Sequence, residues 1–120
     1  MASAISIKRL IKALRYSLLG LKSIFYSEPS FRLEVYLSIL LIPLALMLKA
    51  TAIEKAVLIG SWLLVLIIEA INSAIETVVD RIGLDIHHLS KKAKDIGSAA
   101  VFLAIINASI TWILILASTS

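Results

Sequence analysis

Five polar residues stand at offsets 0, +3, +4, +7 and +11 in the stretch 66–83, LIIEAINSAIETVVDRIG: Glu69, Asn72, Ser73, Glu76 and Asp80. That is the spacing of one face of an α-helix. Ile67, Ile68, Ala70, Ile71, Ala74, Ile75, Val78 and Val79 form the other, apolar face. One helix therefore carries three carboxylates and two hydrogen-bonding groups in a single column. Glu69 lies deepest in apolar sequence, where an ionised acid costs about 2.5–3.5 kcal/mol near a bilayer centre. A helix keeps such a residue when it has a partner or a task.

Carboxylates spaced a turn or two apart, with Glu28 at a bend before Pro29, suit a hard divalent cation. Mg²⁺ prefers oxygen ligands and keeps waters, so two protein carboxylates plus phosphate oxygens suffice. Lys94 opens the last apolar helix and adds a cation where a helix N-terminus already favours anions. A Mg²⁺–triphosphate fits between these parts. Glu69, deeper, is then placed as a general base for a hydroxyl at the lipid level. That is the layout of a phosphotransferase acting on a lipid. The plainer readings are a rim charge at Glu28 and an intramembrane ion-pair network along the column. A small proton or cation conduit would use the same residues.

The elements that must position this chemistry are those of a membrane protein. The chain has 120 residues, enough for one domain, and 60% of them are hydrophobic. Its mean hydropathy is +0.99. A soluble domain of this size would expose too much apolar surface, so the composition points to an integral membrane protein. There is no cysteine, hence no disulfide frame and no thiolate chemistry. No cleaved signal peptide, internal repeat or long linker is legible.

Residues 5–27 read as an amphipathic surface helix. Ile7, Leu10, Ile11, Leu14, Leu18, Leu21 and Phe25 form its apolar stripe, flanked by Lys8, Lys12, Arg15 and Lys22. A membrane anchor accounts for most of it, but not for Arg9 and Tyr16 on the far side. Three spans are predicted over 31–48, 56–82 (with a cytoplasmic extension) and 91–117. Pro43 should kink or locally unwind the first. Residues 49–55 read as a loop, and Gly83 as the stop before a second loop. Gly97, Ala100, Ala104 and Ala108 form a small-residue stripe that lets membrane helices approach closely. Asn107 and Thr111 extend it, with packing as their role, and Trp112 reads as an interfacial or packing aromatic. Residues 1–32 hold six Lys/Arg and 81–94 hold four, against two in 49–55 and none at the C-terminus. The positive-inside rule then predicts a cytoplasmic N-terminus and second loop.

The common nucleotide signatures are missing: there is no G-x-x-x-x-G-K-[ST], no Gly-rich kinase loop, and no H-R-D or D-F-G. His87 and His88 are adjacent, which is poor spacing for zinc.

Longer runs carry a family likeness. They are Glu69-Ala-Ile-Asn72-Ser73-Ala74-Ile75-Glu76, Val79-Asp80-Arg81-Ile82-Gly83 and Ala93-Lys94-Asp95-Ile96-Gly97-Ser98-Ala99-Ala100-Val101. Together they resemble the small bacterial integral-membrane diacylglycerol kinases, over about residues 9 to 112. The 80–83 and 97–98 variants look like the diacylglycerol branch rather than the sister undecaprenol kinases. The resemblance implies an all-α homotrimer of the bacterial inner membrane, each chain with a surface helix and three transmembrane helices. It implies transfer of the γ-phosphate of MgATP to the primary hydroxyl of diacylglycerol, giving phosphatidate at the cytoplasmic face. It places the base at Glu69 and the Mg²⁺ ligands at Glu28 and Glu76. Nucleotide contacts would come from Arg9, Tyr16, Glu28, Glu76, Asp85, Ile86, His87, Lys94 and Asp95. Lipid contacts would come from Arg9, Ala13, Leu14, Arg15, Tyr16, Ser17, Leu18, Arg32, Glu69, Ser98 and Trp112. Asn72, Ser73 and Asp80 would support them.

Some positions depart from the family pattern. Asp85-Ile86-His87-His88 stands where Glu-Tyr-His-Glu is frequent, which shortens one side chain and removes a ring. Pro29-Ser30 stands for Ala-Ala, and Leu14-Arg15 for Ala-Gly. The rivals are an undecaprenol kinase of the same fold, a trimeric ion or proton conduit, and a structural membrane protein with buried ion pairs.

Overall fold

The computed structural model describes residues 2–83 and 87–119. Among the described residues it is all-α, with four helices: α1 Ala2–Ser27, α2 Pro29–Met47, α3 Ala52–Ile82 and α4 His88–Thr119. The last three are long and apolar enough to cross a membrane. Their outward faces carry large exposed side chains such as Ile39, Leu40, Phe102, Leu103 and Leu114. Lipid, not water, is the solvent such faces fit.

The turn between α1 and α2 is a single residue. Glu28 is extended (φ −117°, ψ 104°) and Pro29 opens α2, the position where a missing N–H costs nothing. Arg32 Nη1 donates to the carbonyls of Phe25 (3.0 Å) and Tyr26 (3.3 Å). These belong to the last turn of α1, which has no intrahelical donors for them. Ile24 and Phe31 are buried at this corner. Before it, residues 6–23 of α1 are exposed along their whole length.

α2 runs without interruption through Pro43, so the unwinding expected there does not occur. α3 begins at Ala52, inside the stretch expected to be loop. The reason is a capping box: Glu54 N–H donates to Thr51 Oγ1 (3.1 Å), and Thr51 N–H donates to Glu54 Oε1 (2.9 Å). Lys55 Nζ reaches back to the Leu46 carbonyl at 2.9 Å, closing the hairpin on the end of α2.

α3 and α4 pack most closely. Val65, Ala104 and Ala108 form the buried core, with Ile68 against it. Gly97 is also buried. Small residues on α4 thus let the two backbones approach, as the stripe predicts. Gly83 ends α3 in an extended conformation (φ 173°, ψ 157°), one open to any residue rather than the left-handed cap. α4 starts at His88 rather than residue 91, because His87 caps it: the Leu89 N–H donates to His87 Nδ1 at 3.1 Å.

Candidate active site

The helical column predicted from spacing closes one wall of a cavity of about 230 Å³. α3 supplies Glu69, Asn72, Ser73 and Glu76. The α1–α2 corner supplies Glu28, Ser30 and Phe31, and α4 supplies Ser98 and Val101. Glu28, Glu69, Glu76 and Ser98, far apart in sequence, therefore line one space. Glu28 gets there because the single-residue turn points it inward from the bend; Ser73 Oγ donates to its Oε1 at 3.3 Å.

Asn72 holds the other acid, its Nδ2 donating to Glu76 Oε1 at 3.3 Å. The Oδ1 of the same amide is buried and accepts from no donor among the described residues. A methyl group built on Gly97 would fall onto that Oδ1. Gly97 is thus the place where α4 leaves room for Asn72.

Around the cavity the cations are paired. Lys94 Nζ meets Asp80 Oδ1 at 2.7 Å, linking α4 to α3. Lys91 Nζ meets Asp95 Oδ2 at 2.7 Å, one turn along α4. Both pairs are partly open to solvent, where ion pairs are weak and partners exchange.

Other expected contacts are not gathered here in the single chain. Arg9, Ala13, Leu14, Arg15, Tyr16, Ser17 and Leu18 are exposed on α1, and Ser17 Oγ donates to the Ala13 carbonyl at 2.8 Å. Arg32 latches the α1–α2 corner. His87 is engaged at the start of α4 and stacks on His88 (ring centroids 4.7 Å apart). Trp112 Nε1 donates to the Leu58 carbonyl at 3.1 Å, eleven residues before Glu69 on α3. That is about 16 Å along a helix. Asp85 and Ile86 lie outside the described residues.

The sequence profile of the prokaryotic diacylglycerol kinases matches residues 15–116. A "Diacylglycerol kinase" of Haemophilus influenzae is 52% identical over 103 residues, covering 86% of this chain and 87% of that protein. One from Escherichia coli K12 is 50% identical over 108 residues, covering 90% and 88%. One from Pseudomonas aeruginosa is 47% identical over 110 residues, covering 92% and 89%. The chain belongs to the prokaryotic diacylglycerol kinase family. The likeness spans α1 to α4 and includes the whole cavity.

In this member of the diacylglycerol kinase family, one buried carboxyl of the first span escapes the sequence reading. Glu34 of α2 is partly buried, and its Oε2 is buried with no hydrogen-bonding partner among the described residues. Its signal is visible, a lone acid near the start of the first apolar span, but which helix it would face is not.

Proposed function

We propose that this membrane protein is a lipid kinase that transfers the γ-phosphate of ATP to the primary hydroxyl of diacylglycerol, giving phosphatidate. The observation that carries the mechanism is the shared cavity. Glu69, within the apolar span, lines the same space as Glu28 and Glu76 nearer the helix ends. A base must meet a hydroxyl at lipid depth, while metal ligands must meet phosphates arriving from water.

The donor set fits Mg²⁺. It is made of oxygens and amides, and the Asn72 Oδ1, without a partner among the described residues, leaves one more oxygen beside Glu76. No group of three His, Cys, Asp or Glu side chains that could hold a metal occurs among the described residues. An ion held by two carboxylates would have substrate phosphates and water completing its shell. Glu28 and Glu76 would hold it, and when bound it neutralises charge on the phosphates.

The hydroxyl oxygen forms a bond to the γ-phosphorus while the bond from that phosphorus to the β–γ bridging oxygen breaks. ADP leaves with the electron pair, and the hydroxyl proton passes to a Glu69 carboxylate oxygen. Asn72 holds Glu76, and Ser73 holds Glu28. Lys94 exchanges Asp80 for phosphate, a charge-assisted contact stronger than a neutral hydrogen bond. Arg9, Tyr16, Asp85, Ile86, His87 and Asp95 complete the nucleotide contacts. Lipid contacts come from Ser98 in the cavity wall, from Arg32 and Trp112, and from the exposed residues 13–18, which are open to a neighbouring chain. A homotrimer supplies those neighbours. The enzyme sits in the inner membrane with its N-terminus and active site on the cytoplasmic side, as the loop charges favour.

The test is phosphate transfer from γ-labelled ATP by the purified protein, with diacylglycerol and undecaprenol as parallel acceptors. Labelled phosphatidate is expected, with undecaprenol the poorer acceptor. Preference for undecaprenol would reassign the substrate. Labelling of neither would leave a conduit or structural role.

A further inference from the structure

A serine in a helix can close its hydroxyl onto the carbonyl four residues back. Ser17, Ser38 and Ser109 do so here, each at 2.8 Å. Ser30 does not. It follows Pro29 in the first turn of α2, beyond the break at Glu28. The carbonyl four residues back is that of Tyr26, which accepts from Arg32 at 3.3 Å. The Ser30 hydroxyl makes no hydrogen bond among the described residues, and Ser30 lines the polar cavity. The family pattern has alanine at this position, so the hydroxyl belongs to this chain rather than to the fold.

Two contacts set the height of Ser30 against α3. Ser73 Oγ donates to Glu28 Oε1 at 3.3 Å, and deeper in the span Trp62 Nε1 donates to Ser38 Oγ at 2.7 Å. In these antiparallel helices Ser30 therefore stands level with residues 70–71, between Glu69 and Ser73. That is about 1.5–3 Å along the axis from Glu69. Phe31, the next residue, lines two cavities. One is the polar cavity of about 230 Å³. The other is apolar, about 900 Å³, with Leu21, Phe25, Val35 and Leu66 in its walls. A diacylglycerol is divided in the same way. Its head is polar and compact, its chains are hydrocarbon, and its ester carbonyls stand at the junction. One ester is on the carbon next to the one that bears the free hydroxyl.

We propose that Ser30 is a specificity-determining residue: its hydroxyl donates to the ester carbonyl of diacylglycerol beside the carbon that is phosphorylated. This inference rests on the lipid kinase reading. An ester carbonyl that leaves water needs a donor, and a serine hydroxyl supplies one. An isoprenoid alcohol has no carbonyl and leaves the Ser30 hydroxyl without that partner, which weighs against it as acceptor. The place of Ser30 beside Phe31, next to the apolar cavity, favours the lipid over the nucleotide as its partner.

The test compares the full-length protein with Ser30→Ala and Ser30→Thr in mixed micelles, on dioleoylglycerol and on its diether analogue, which has no carbonyl. A second measurement is the infrared stretch of dioleoylglycerol isotopically labelled at its ester carbonyls and bound to each protein. Ser30→Ala should lower kcat/KM for the ester by about 3–10-fold, the scale of one net hydrogen bond. It should leave the diether rate and the KM for ATP unchanged. Ser30→Thr keeps the donor and should stay near the starting value. The labelled carbonyl band should lie at lower frequency in the starting protein than in Ser30→Ala. Equal losses on ester and diether would assign the hydroxyl to phosphate or metal and overturn the ester contact. Unchanged rates on both would overturn it too. If phosphatidate forms but the band does not respond to Ser30→Ala, the contact fails and the lipid kinase reading stands. If the band responds but no phosphatidate forms, the contact stands and the lipid kinase reading fails.

Discussion

At the scale of single residues, the site depends on close fits that a sequence shows only in part. The column on 66–83 was legible because helical spacing alone puts Glu69, Asn72, Ser73 and Glu76 on one face. What that face meets was not legible, since pairing across helices depends on their relative rotation and height. Glu34, whose Oε2 is buried where spacing alone would not place it, is one case. Gly97 is another: in sequence it belongs to a packing stripe, yet in space it makes room for the Asn72 amide. Gly97→Ala should destabilise the protein by about 1–3 kcal/mol, the usual cost of overpacking. Adding Asn72→Ala should recover part of that stability, because the two side chains compete for one space. Thermal unfolding of the two single variants and the pair reads this directly, and strictly additive losses would contradict it. Lys94 sits in an exposed pair with Asp80 and is free to exchange. Lys94→Leu should raise the KM for ATP without a matching change for the lipid acceptor. An unchanged KM and kcat for ATP would remove Lys94 from the site.

At the scale of elements, the three spans were legible from length and apolar composition, but their ends were not all placed correctly. α3 starts earlier than hydropathy suggests because Thr51 and Glu54 form a capping box. The T-x-x-E signature was present in the sequence, and the charges of Glu54 and Lys55 made the segment resemble a loop. α4 likewise starts early, on a cap from His87. Thr51→Ala should cost about 0.5–2 kcal/mol of stability, the range for losing an N-cap side chain. Denaturation in a lipid-like detergent measures it, and a loss near zero would show that the box contributes nothing there. The α1–α2 corner depends on Arg32 bonding to carbonyls at the end of α1. Arg32→Ala should therefore loosen α1, seen as faster amide exchange over its last turns, with α3 and α4 unaffected.

At the scale of the whole molecule, three spanning helices require the two termini to lie on opposite sides of the membrane. Ten Lys/Arg fall in 1–32 and 81–94, against two in 49–55. A reporter fused after Ser120 should be active only outside the cytoplasm, and cytoplasmic activity would contradict the three-span arrangement. With that orientation, the folded chain sets Glu69 within the apolar span and Glu28 and Glu76 nearer the surface around one cavity, the placement that the proposed base and metal ligands need. The most direct test of that division is a Mg²⁺ titration of the initial rate, with nucleotide binding alongside, for Glu69→Gln, Glu28→Gln and Glu76→Gln. Glu69→Gln should bind nucleotide and lose about 10²–10⁴-fold in rate at every Mg²⁺ concentration. Glu28→Gln and Glu76→Gln should need more Mg²⁺ and be partly restored by it or by Mn²⁺. Rescue of Glu69→Gln by metal, or wild-type rates in all three variants, would contradict the assignment.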